Sequence, residues 1–94
     1  MQETTQPPED DRSVERGVFA RVRALLSDKF GIASKSVELD SVLVSDLGIE
    51  PADMGYLALT LEEAFDVDIA TEDVAHIVRV RDAVSCVLGL QVVP

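Results

Sequence analysis

Apolar side chains recur at helical spacing along most of this chain. Val14, Val18, Val22, Leu25 and Leu26 form one such series, with Arg16, Arg21, Arg23 and Asp28 on the other faces. Ser13 precedes the series as a candidate N-cap and Gly31 follows it as a stop, which predicts a first helix over about 14–29. A second series, Met54, Leu57, Leu61 and Phe65, begins just after Pro51. Proline suits the first helical position, where its missing N–H and fixed φ do no harm. Asp53 falls in the same first turn, where the helix dipole favours an anion. A short third helix is predicted over about 72–76, capped by Thr71. A fourth is predicted over about 79–88, with Val80, Ala83, Val84, Val87 and Leu88 inward and Gly89 as its C-cap.

The connection between the first two helices, residues 31–50, is unusually long for a compact domain. It carries Ile32, Val37, Leu39, Leu43, Leu47 and Ile49. Side chains of this kind predict a connection pinned across the core, with one short turn after Asp40. Period-2 alternation is weak throughout, so no sheet is expected. The reading is an all-α domain over 13–94, preceded by a disordered acidic tail over 1–12 that holds Pro7, Pro8 and Glu9-Asp10-Asp11. The ending Leu90-Gln-Val-Val-Pro94 is apolar and is expected to fold back on the core.

Composition narrows the function classes. Eighteen acidic against eight basic residues give a formal net charge of -10. A surface this negative repels nucleic-acid phosphates and anionic membrane leaflets and attracts basic protein surfaces. With three Phe, one Tyr and no Trp, the core must be aliphatic. A single cysteine, Cys86, allows no internal disulfide. The absence of a signal-like N-terminus and of an apolar run near 18 residues makes a cytoplasmic protein, and a monomer, the default expectation.

The local motifs resemble the acyl carrier protein family over roughly Val14 to Leu88. The resemblance rests on Asp46-Leu47-Gly48 opening a helix, then Leu57, Leu61-Glu62-Glu63 and Phe65, then Asp68-Ile69 before a short acidic helix. It implies a four-helix bundle with a long first loop and a short third helix. Members of the family carry acyl groups on 4′-phosphopantetheine, attached to a serine in an Asp-Leu-Gly-x-Asp-Ser-Leu pattern. Here the stretch reads Asp46-Leu47-Gly48-Ile49-Glu50-Pro51-Ala52, and Pro51 takes the serine's place. A proline ring has no hydroxyl, so the usual cofactor has no attachment atom. Ser45 is the nearest hydroxyl, but it precedes the helix.

The resemblance also implies a docking surface on the second helix for acyl-processing or carrier-modifying enzymes with basic patches. By position that surface is Asp53, Gly55, Tyr56, Leu59, Glu62 and Glu63. Tyr56 and Gly55 depart from the family's usual acidic and β-branched residues, which suggests a face retuned for a different partner. The bland alternatives are solvated helix charge for Glu62 and Glu63, and a partly buried ring for Tyr56.

No catalytic or metal constellation is found. Asp66-Val-Asp68 begins like a calcium loop, but Ala70, Thr71 and Ile77 occupy positions that need Asp or Asn, Gly and Glu. His76 is the only histidine and reads as structural, and Cys86 as a small space-filler. The expected function is that of a carrier-like docking protein of fatty-acid or polyketide-type metabolism rather than an enzyme. Two alternatives stand beside it: a working carrier modified at another serine, and a protein binding acyl chains without a covalent link.

Overall fold

The computed structural model describes residues 11–90. The predicted tail over residues 1–10, and the return of the chain after Leu90, lie outside them. Four helices follow in order: α1 (Asp11–Phe30), α2 (Met54–Phe65), α3 (Thr71–Val74) and α4 (Val80–Leu90). Among the described residues the only β-type pairing is an isolated antiparallel bridge between Val42 and Arg79.

α1 starts earlier than its apolar pattern. The helix is already formed at Asp11, so Ser13 lies within it and is not its N-cap. An acid at the first position suits the helix dipole, and nothing between Asp11 and Ser13 breaks a helix. Val18, Val22 and Leu26 are buried as predicted, but Val14 is 50% exposed. Twenty residues span about 30 Å against about 17 Å for α2 or α4, so the first turn of α1 overhangs its partners. The stop falls where expected. Gly31 adopts φ +70°, and its N–H donates to Ser27 O at 3.1 Å, closing the helix with a left-handed cap.

The long connection is stitched down rather than loose. Val37, Leu43 and Ile49 are buried in the core cluster. Leu43 N–H donates to Val78 O (2.9 Å), Val80 N–H to Ser41 O (3.0 Å) and Arg81 N–H to Leu39 O (2.8 Å). Arg81 also grips the Asp40 carboxylate through Nε and Nη2. The turn after Asp40 is present: Asp46 N–H donates to Val42 O, and the Asp46 carboxylate accepts from Val42 N–H at 2.8 Å. A 3-10 turn over Ser34–Ser36 has no counterpart in the apolar pattern.

α2 packs Leu57, Leu61 and Phe65 inward, each buried, with Met54 partly so. Removing one such side chain from water contributes about 1.5–3 kcal/mol. The helix ends at Asp66 in the left-handed region (φ 56°). Arg21 of α1 closes that end: its guanidinium donates to Ala64 O at 2.7 Å and lies 4.6 Å from the Phe65 ring centre. A cation there satisfies a free carbonyl and complements the dipole.

Two predicted boundaries are corrected. Thr71 is the first residue of α3 and no cap: the preceding Ala70 caps it without a side-chain bond, and the α-helix stops at Val74 instead of 76. His76 and Ile77 continue only as turns, with N–H bonds to Asp73 O and Val74 O. Gly89 does not terminate α4, which continues through it to Leu90. Helical φ is open to glycine, and an apolar residue follows it, so nothing forces a stop there. The N-terminus of α4 is capped from within, since the Asp82 carboxylate accepts from Val78 N–H (3.0 Å) and Arg79 N–H (2.8 Å).

Candidate functional site

The head of α2 is built by the sequence around Gly48. This glycine has φ +77°, a conformation that L side chains rarely adopt, and it turns the chain from the stitched connection towards the helix. Ile49 then drops into the core, its N–H bonded to Leu43 O at 3.0 Å. Pro51, Ala52 and Asp53 form a 3-10 turn that leads into α2, and all three are exposed. Pro51 therefore stands in solvent on the first turn with only ring carbons to offer. Ser45 is also exposed, in the preceding turn segment.

Beyond Pro51, the predicted docking residues share the outward side of α2. Gly55 and Glu63 are exposed, Tyr56 is 48% exposed and Leu59 is 49% exposed. Tyr56 leans on Phe30 of α1, with ring centres 5.4 Å apart and planes tilted by 60°. A tilted arrangement of this kind fixes the ring while leaving its hydroxyl end in water. Glu62 differs from the others. It is half-buried, and its carboxylate accepts the Ile69 N–H at 2.8 Å, tying the α2–α3 connection to α2. Its negative charge remains, but one oxygen is already engaged.

An open groove of about 500 Å³ runs beside this face. Gly55, Ala58 and Leu59 form one wall, and Ile69, Val74 and Ala75 the other. The second wall has no mark in the sequence, because the pairing of α3 with α2 is set by the tertiary course of residues 66–70. A Cβ placed on Gly55 would meet nothing within 4 Å, so the interior does not require glycine there.

A second recess of about 420 Å³ lies between α3 and α4, with Asp73, His76, Ser85 and Cys86 among its lining residues. Cys86 is partly buried. Burial, and then the nearby Asp73 carboxylate, hold its thiol above the usual pKa, so it is a poor nucleophile near neutrality. Among the described residues no group of three or more His, Cys, Asp or Glu could hold a metal ion, and no helix is long and apolar enough to cross a membrane.

The family described as "Phosphopantetheine attachment site" matches residues 20–90. The chain belongs to that family. Its relatives within the phosphopantetheine attachment-site family include the acyl carrier protein of Solidesulfovibrio magneticus, 35% identical over 68 residues, which are 72% of this chain and 87% of that protein. The acyl carrier protein of Nitratidesulfovibrio vulgaris is 31% identical over 74 residues, 79% of this chain and 97% of that one. The crystal structure of the acyl carrier protein of Thermotoga maritima shares the fold, with a TM-score of 0.75 at 21% identity over 86% of this chain and 94% of that one. The four-helix architecture read from the sequence is thus the architecture of the family. These relatives are carriers, not enzymes, and this family member is likewise not an enzyme. The family's group is phosphopantetheine, and the residues at the head of α2 do not fit it. A phosphodiester needs a hydroxyl, and at Pro51 there is none.

Proposed function

We propose that this chain is a carrier-protein-like docking protein that does not use phosphopantetheine. It binds acyl-processing or carrier-modifying enzymes of fatty-acid or polyketide-type metabolism through the outward face of α2, as an adaptor or regulator. The observation that carries this reading is Pro51: the one atom a carrier needs for its arm is missing, while the turn, helix and acidic face around it are retained. Asp53 and Glu63 remain exposed acids flanking exposed Tyr56 and Leu59. Tyrosine beside an aliphatic residue is a composition suited to an interface centre, and an acidic rim suits a basic partner. The same reading places the protein in the cytoplasm as a monomer.

Intact mass spectrometry after co-expression with a broad-specificity phosphopantetheinyl transferase tests it. The expected spectrum is the unmodified chain. A gain equal to the phosphopantetheine group, mapped to Ser45 or any other serine, would instead make the protein a working carrier with a displaced attachment site. The variant Pro51→Ser is the positive control, because restoring the hydroxyl on an intact helix head should restore modification.

A further inference from the structure

Two kinds of apolar guest fit a groove with the walls found between α2 and α3: a hydrocarbon chain ending in a carboxylate, or side chains from another protein. Charge decides between them. No lysine or arginine occurs between Ser36 and Val78. Glu62 lines the groove, and Glu63, Glu72 and Asp73 are exposed on the same two helices. Both ion pairs among the described residues lie elsewhere, at Lys29–Asp28 and Arg81–Asp40. A free fatty acid entering here would bring its carboxylate among like charges with no cation to receive it, which is repulsive at short range. A lysine- or arginine-bearing surface meets the opposite situation, and its aliphatic neighbours would find Leu59, Val74 and Ala75 to cover.

We infer that the α2–α3 groove seats aliphatic side chains of a basic amphipathic helix on a partner protein, and not a free fatty acid. This rests on the docking reading above and names the partner's chemistry. A helix is the fitting shape because its residues at i, i+3 and i+4 share one face and enter a groove together, with lysines on either side over the acidic rim. Gly55 has a role in this arrangement. It lines the groove and leaves space that no internal contact claims, so the backbone of α2 is open to close approach.

The test uses the full chain, ¹⁵N-labelled, titrated separately with three probes: a synthetic leucine–lysine helical peptide, a peptide with the same leucine face and glutamates for lysines, and laurate. The lysine peptide should shift the amides of Gly55, Leu59, Val74 and Ala75, and the other two probes should leave them in place. Raising salt from roughly 0.05 to 0.3 M should weaken the binding. The variant Gly55→Leu fills the groove without altering charge and should reduce affinity for the lysine peptide about tenfold or more. Ala75→Leu does the same from the opposite wall and guards against misfolding of the first variant. Unchanged affinity in both folded variants would mean that charge alone holds the peptide, and would overturn the inference. So would shifts confined to other elements, or shifts at the groove with laurate. A phosphopantetheine adduct in the mass spectrum would refute the docking-only reading without altering any of these outcomes, so the two can fail separately.

Discussion

Single residues in this chain have opposite conformational demands that look alike in sequence. Gly48 and Gly55 are both glycines with open space where a methyl group would stand, yet Gly48 has φ +77° and Gly55 a helical φ. Gly48→Ala should therefore destabilise the protein by about 1–2 kcal/mol through backbone strain. Gly55→Ala should stabilise it by about 0.4–1 kcal/mol by restricting the unfolded chain. Urea midpoints of the two variants check the pair, and equal signs would refute the conformational assignment. Cys86 supplies a second prediction at this scale. Its raised pKa means the folded protein keeps the thiol proton after the unfolded chain has lost it. The associated stability is full below the unfolded value of about 8.5 and declines as pH rises towards the folded value. Alkylation by iodoacetamide at pH 8 should accordingly be slower in the native protein than in urea, and equal rates would count against burial as the cause.

At the scale of elements, capping and ion pairing contribute unequally to the start of α4. Asp82 satisfies two backbone amides, and Asp82→Ala should cost about 1 kcal/mol, the usual loss when a cap is removed. The Arg81–Asp40 pair lies between side chains 46% and 75% exposed, so Asp40→Ala should cost under about 1 kcal/mol. Thermal denaturation of the two variants would rank them, and a larger loss for Asp40 would reverse that order. The helices are legible in the sequence because periodic aliphatic residues and Pro51 mark them directly. Their ends are less so. Gly31 ends α1, but Gly89 does not end α4, since glycine permits a left-handed cap without imposing one. Asp66, which does adopt that conformation after α2, carries no comparable mark. The Ser34–Ser36 turn is held by backbone bonds that any side chain would allow. For the candidate site, the exposed face of α2 can be placed from the resemblance, residue by residue. The binding of Glu62 to the Ile69 amide and the far wall of the groove cannot, because both depend on how the chain returns after Asp66.

The whole molecule combines a small aliphatic core with a net charge of -10. Acids crowded on one side repel one another, and that repulsion opposes the compact state. Raising sodium chloride from roughly 0.02 to 0.2 M should screen it and raise Tm, as differential scanning calorimetry would show. A flat or falling Tm would mean that the acids on α2 and α3 do not strain the fold. Architecture adds an asymmetry to this electrostatic one. The amides of Leu43, Val80 and Arg81 cross from the long connection to α4 and back, so that side has to open as a single unit. α3 is a lone helical turn, reached through a connection that the Glu62–Ile69 bond ties to α2. The bundle thus has a stiff seam along one edge and a pliant lip along the other. A visitor arriving at the lip meets the part of the molecule that yields most cheaply, while the seam keeps everything behind it in register.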